Sequence, residues 1–387
     1  MGSSAPLWLL ALVTLSGTLA LHIFVPALQL AGRDFGASAS TMQLTLSAYI
    51  VGLALGQLTY GPISDYFGRR PVLVVGMVVY AAASLAAMLA PTVNALIITR
   101  LVQALGGCAG LVLGRAIVRD SATDGDAVRR LSLMNLMVMA GPGLSPLVGS
   151  ALASMTGWRS IFAALSLLGL ANLVLIWRRL PETAPGRKHD TRTAGRSYAQ
   201  LLGSRSFLGY TIGGGLATTS LYAYIGAAPF IFTDQLHRPP HEVGVYLSVN
   251  ILGAWFGSLT VSRFAGIGTA SRLMVIGNAL SCLGALIFLF YAFSGSLGVA
   301  STVLPMLLLS YGAGIASPAA LAQALSINPS FAASASGLYG FAQMTIGAAC
   351  AALSGIGRNP ALSAGIVLLG AGLMAQLAFW LARQSKG

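Results

Sequence analysis

The chain has 387 residues, of which 56% are hydrophobic and only 8% charged, and its formal net charge is +13. Soluble domains carry roughly 25% charged residues, so a soluble fold of this length is excluded and lipid must be the main solvent. The basic residues are strung out between apolar segments, a pattern that encodes membrane orientation and argues against nucleic-acid binding.

A helix crossing ~30 Å of hydrocarbon needs about 20 apolar residues. Twelve such stretches are predicted, at 7–30, 41–62, 72–90, 94–118, 130–154, 159–179, 206–232, 242–262, 272–293, 298–320, 331–354 and 360–382. The first has no preceding Lys or Arg and exceeds a signal-peptide core, so it reads as a retained helix. The segment from Leu180 to Arg205 is polar, basic and rich in Gly, Pro and Thr, and reads as a linker. The expected organisation is an all-α membrane protein: a six-helix half at 1–180, a cytoplasmic linker at 181–205 and a second six-helix half at 206–387. Of the 22 Lys and Arg, sixteen fall in alternate loops and the C-terminus, four on the opposite side, and Arg100 and Arg115 inside the fourth span. That bias places both termini in the cytoplasm. Cys108, Cys282 and Cys350 lie apart inside apolar stretches and offer no disulfide framework.

In the first span Thr14, Thr18, His22, Pro26 and Gln29 share one helical face, a polar stripe of the kind that lines a cavity. After the second span comes Gly61-Pro62-Ile63-Ser64-Asp65-Tyr66-Phe67-Gly68-Arg69-Arg70, read as a tight cytoplasmic turn whose glycines allow close helix approach. Asp65 there can accept from a helix N-terminus or pair with an arginine, for which Arg115 is the expected partner. The fourth span carries Arg100, Gln103 and Gly106, Gly110 and Gly114. The three glycines repeat every four residues and would let one neighbouring backbone pack closely. An arginine inside a span is costly and by default faces a cavity or a partner; the alternative is snorkelling to the outer surface. The fifth span contains Gly141-Pro142-Gly143-Leu144-Ser145-Pro146-Leu147-Val148-Gly149, where the prolines remove helix hydrogen bonds and invite a bend.

The stretch from Gly61 to Arg70 resembles the G-x-x-x-D-x-x-G-R-R signature of the major facilitator superfamily. The resemblance implies gating roles for Gly61, Asp65, Gly68, Arg69, Arg70 and Arg115. Arg100 to Gly106 resembles the superfamily's antiporter motif, which implies a part for Arg100 in proton coupling. The fifth-span run resembles its exporters, implying a helix bend at Gly141, Pro142, Pro146 and Gly149. With Trp158-Arg159, Pro181-Glu182-Thr183, Tyr222-Ala223-Tyr224 and Ala333-Ser334-Ala335-Ser336-Gly337, the set is similar to the bicyclomycin/chloramphenicol-resistance branch of drug:proton antiporters.

That branch has an aspartate in span one, four residues before a proline; here His22 stands there, four before Pro26. The nine acids fall in loops or at helix ends. If protons drive transport, His22 is the intramembrane group able to carry them; substrate contact without coupling, or simple packing, are the other roles open to it. Substrate contacts in this fold are expected from His22, Tyr49, Gln103, Asn135, Tyr222, Tyr224, Asn250, Tyr339 and Gln343, with Trp255 and Tyr311 as further candidates. Without a buried acid, a neutral or anionic substrate is expected over a cationic one. His237, His241 and Glu242 have metal-like spacing but no further ligands, so no metal or other cofactor is expected. Neither a converging catalytic set nor an extramembrane domain suggests an enzyme.

The expected function is secondary active export of small organic molecules across the cytoplasmic (inner) membrane by alternating access, coupled to protons. The alternative is an uptake permease or uniporter of the same fold. Its partners are a small-molecule substrate, protons and membrane lipid, with no nucleic acid, and the chain is expected to be a monomer.

Overall fold

A computed structural model describes residues 6–120, 127–183, 199–264, 270–327 and 332–384. The helices are α1 (Leu7–Ile23), a 3₁₀ turn (Val25–Ala27), α2 (Leu28–Phe35), α3 (Ala39–Phe67), α4 (Arg69–Met88), α5 (Val93–Asp120), α6 (Ala127–Thr156) and α7 (Arg159–Arg179). They continue as α8 (Arg205–Thr219), α9 (Leu221–Phe230) with a π-helical turn (Ile231–Gln235), α10 (Pro240–Phe264), α11 (Ala270–Phe293), α12 (Val299–Ser326), α13 (Ala332–Ser354) and α14 (Pro360–Gln384). Counting α1 with α2, and α8 with α9, each predicted span falls on a helix, and no strand occurs among the described residues. Ten spans are long and apolar enough to cross a bilayer on their own composition; α6, with two internal prolines, and α13 are the others.

The chain divides into two compact units, one of Met1–Ala37 with Ala48–Thr191, the other of Ser38–Ser47 with Arg192–Gly387. In the first, α1 packs on α5, α6 and α7, while α4 packs on α5 and α7. Lipid gives little hydrophobic drive between helices, so backbone proximity must supply the attraction, and α5 meets α1 glycine to glycine. A Cβ added at Gly17 would sit 2.7 Å from the Gly107 carbonyl, and one at Gly110 or Gly114 would strike Val13 or Thr14. The Thr14 hydroxyl donates to the Gly110 carbonyl at 3.1 Å. Gly106 departs from the predicted stripe: it abuts Gly76 and Tyr80 of α4, and Gly107 takes its place against α1. One residue is about 100° of helix, enough to change the neighbour.

The tight turn expected after span two is mostly helix. α3 runs through Pro62 and Asp65 to Phe67, and only Gly68, at φ +93°, breaks the backbone before α4 begins. Gly61 lies inside α3 with open space around it, so it makes no close helix approach here. α6 is one helix through Pro142 and Pro146. The Ser145 hydroxyl donates at 3.4 Å to the Pro142 carbonyl, which the missing N–H of Pro146 leaves without its helical donor. Both flanking glycines meet α1: Gly141 abuts Leu15 and Gly149 the Ile23 carbonyl.

In the second unit α12 packs against α10 and α11, and α8 against α12, α13 and α14. Span seven is interrupted at Ser220, as span one is near Pro26.

Gly110→Leu should destabilise the first unit by about 1–3 kcal/mol through overpacking, whereas Gly61→Ala should be tolerated; thermal unfolding in detergent compares them. Equal melting temperatures would contradict the close approach.

Candidate functional site

The centre of the first unit is built on a broken helix. Pro26 has no N–H for the His22 carbonyl, and the N–H of Phe24 turns to His22 instead of reaching back to Ala20. The Ala20 carbonyl is therefore released at the C-terminal end of α1, where the helix dipole is negative. Arg100 of α5 fills the gap: its Nη1 donates to the Ala20 carbonyl at 3.0 Å and to Gln103 Oε1 at 2.7 Å. The side chain is completely buried. Its guanidinium carbon lies 4.0 Å from the Tyr49 ring centroid, 5.4 Å from that of Phe24 and 5.8 Å from that of Phe162. Three aromatic faces, a freed carbonyl and a helix dipole surround a cation that has no carboxylate partner among the described residues.

Polar links extend outward from this centre. Gln103 Nε2 donates to Ser84 Oγ at 2.8 Å, Tyr49 OH to the Gly17 carbonyl at 2.7 Å, and Tyr80 OH to the Ser16 carbonyl at 3.2 Å. Asn172 Nδ2 donates to Ser16 Oγ at 2.7 Å. His22, also buried, has Nδ1 2.9 Å from the Thr18 carbonyl. That contact puts the proton of a neutral ring on Nδ1 and makes Nε2 an acceptor. The predicted residues His22, Tyr49, Arg100 and Gln103 thus converge on one region, with Tyr49 and Gln103 fully buried against Arg100.

A second cluster gathers where α3, α4, α5 and the end of α7 meet. Asp65 pairs with Arg69 at 2.7 Å rather than with Arg115, which is exposed. Arg69 also reaches Asp120 at 3.1 Å and Ser64 Oγ. Glu182 accepts the backbone N–H groups of both Arg69 and Arg70, each at 3.1 Å, and so caps the N-terminus of α4 with a negative charge. Arg70 Nη2 donates to the Trp177 carbonyl at 2.9 Å, and its guanidinium lies over the Trp177 ring. The roles of Asp120 and Glu182 here were not visible in sequence. The partners of Glu182 lie 113 and 112 residues away, and its local Pro-Glu-Thr context carries no capping signal.

In the second unit the candidates separate into three places. Asn250 joins Tyr224 and Ser310, each through a 3.3 Å hydrogen bond, and Tyr224 stacks edge-on against Phe288. Tyr222 lies beside Gly347, near Thr219, whose hydroxyl donates to the Gln343 carbonyl at 2.8 Å. Tyr339 is buried against Gly214 and its hydroxyl has no hydrogen-bond partner. Of the further candidates, Tyr311 meets Thr260 at 3.1 Å and Trp255 stacks on Phe256. The side chain of Asn135 lies outside the described residues.

The sequence matches the profile of the Major Facilitator Superfamily over residues 10–352. The chain belongs to the major facilitator superfamily. It is 31% identical over 378 residues to "Uncharacterized MFS-type transporter YdgK" of Bacillus subtilis, covering 96% of this chain and 94% of that one. It is 30% identical to "Multidrug resistance protein D" of Escherichia coli, over 86% and 84% of the two chains. It is 27% identical to "Bicyclomycin resistance protein homolog" of Haemophilus influenzae, over 84% and 82%. The fold is that of a solved D-xylose-proton symporter, with a TM-score of 0.77 at 16% identity over 97% and 96% of the chains. As a major facilitator with this many apolar helices, the protein is a multi-pass membrane protein.

Glu182→Ala should cost about 0.5–2 kcal/mol, the range for losing a helix N-cap, and Arg69→Ala should cost more because it strands two acids. Melting curves in detergent check both; an unchanged Glu182→Ala would show that its carboxylate does not hold α4.

Proposed function

We propose that this major facilitator exports small organic molecules from the cell by alternating access and that His22 couples export to protons. What supports export is similarity, over more than four-fifths of each chain, to relatives named for multidrug and bicyclomycin resistance. For coupling, the supporting observation is chemical. His22 is a buried titratable group in span one, two residues beyond the carbonyl that Arg100 engages. A neutral His22 is an acceptor at Nε2, and a protonated one is a donor at both nitrogens and carries a positive charge. Protonation therefore changes what span one presents.

Direct substrate contact is assigned to His22, Tyr222, Tyr339 and Gln343. Tyr49, Gln103, Tyr224 and Asn250 are assigned to positioning, since their polar atoms are spent on neighbours. Asp65, Arg69, Arg70 and Glu182 are assigned to gating, with Arg115 as a cation that can join them in another state. The bias of basic residues toward alternate loops places both termini in the cytoplasm.

The test uses radiolabelled bicyclomycin in inverted vesicles containing the full chain. An interior-acid gradient should drive several-fold accumulation that collapses with a protonophore, and His22→Ala should lose the gradient dependence. Equilibration that ignores the gradient, with no accumulation, would instead identify a uniporter. Dependence that survives in His22→Ala would remove His22 from coupling.

A further inference from the structure

We propose that the uncompensated charge of Arg100 sets the charge selectivity of this transporter, so that organic anions are accepted and organic cations of the same shape are refused. The proposal rests on the export reading above and adds the substrate class to it.

Among the described residues the polar contacts of the guanidinium are to neutral groups: the Ala20 carbonyl and the Gln103 amide oxygen. Two of its nitrogens, Nε and Nη2, are buried without an acceptor. Aromatic faces and a helix dipole lower the energy of the cation but do not cancel its charge. The acids described in this unit are all engaged elsewhere. Asp34 takes Trp158 Nε1 at 2.7 Å and Arg159 at 3.1 Å. Asp65 and Asp120 bind Arg69, and Glu182 caps α4. In the second unit Glu242 pairs with Arg238 at 2.8 Å, and Asp234 lies in the π turn outside the apolar part of span seven. His22 adds nothing negative: neutral, it leaves the field of Arg100 as it is, and protonated, it reinforces it.

A buried charge acts on a substrate without touching it. At an effective dielectric of about 20, a unit charge ~12 Å away shifts a monovalent ion's equilibrium by roughly tenfold, and in opposite directions for anions and cations. Arg100 needs no opening to its surface to sort ligands this way.

The experiment compares tetraphenylborate with tetraphenylphosphonium, ions of the same shape and opposite charge, binding to the purified full-length protein in nonionic detergent, corrected against empty micelles. The wild type should bind the borate at least roughly tenfold more tightly. His22→Asp, which adds a carboxylate to span one, should remove most of that preference, and Arg100→Gln should do the same. The wild-type comparison needs no variant to fold. Wild type binding the phosphonium as tightly as the borate overturns the proposal and leaves export standing. Wild type and His22→Asp both binding neither ion also overturns the proposal, while bicyclomycin accumulation in vesicles decides the export reading separately.

Discussion

A guanidinium buried in the membrane, held by the broken end of a helix, organises the first unit. Charge in hydrocarbon is tolerated only where something meets it, and no acid among the described residues does so. Pro26 releases a carbonyl, α1 presents its negative end, and Phe24, Tyr49 and Phe162 turn their faces inward. The break is therefore both the cause and the consequence of the arginine. Without the cation the Ala20 carbonyl would lie unsatisfied in oil, and without the break the cation would lose its hydrogen bond to span one.

The packing around this point follows from the same need. Arg100 can reach Ala20 only because α5 lies against α1 at backbone distance, which Gly17, Gly107 and Gly110 permit. Gly149 of α6 meets the Ile23 carbonyl, the last residue of α1 before the interruption. Further along the same helices, Arg69 joins α3 to α5 through Asp65 and Asp120, and Glu182 ties the chain after α7 to the start of α4. α5 carries both Arg100 and Asp120, so the two polar centres share one helix.

Much of this was legible in the sequence because membrane helices are long and repetitive. Twelve apolar runs, the Gly61–Arg70 signature, Arg100 with Gln103 and the two prolines of α6 all declare themselves locally. What was missed depends on helical phase or on distance along the chain. Gly106 was assigned to the wrong neighbour by one residue of rotation. Arg115 was chosen for Asp65 on its depth, when Arg69, one turn away on the other side of Gly68, was nearer. Glu182 capping α4 joins residues more than a hundred positions apart, and no local pattern announces it. Gly61 was credited with close packing because glycine in a motif suggests it, yet nothing lies beside it in this structure.

The interdependence of break and cation is most directly measured by a double-mutant cycle on unfolding in detergent, using Pro26→Ala, Arg100→Met and the pair. Pro26→Ala returns the Phe24 N–H to the Ala20 carbonyl, so the carbonyl that Arg100 serves is no longer free. The two substitutions should then couple by about 0.5–3 kcal/mol, as contacting residues do. Losses that simply add would mean that Arg100 is held by something other than the end of α1.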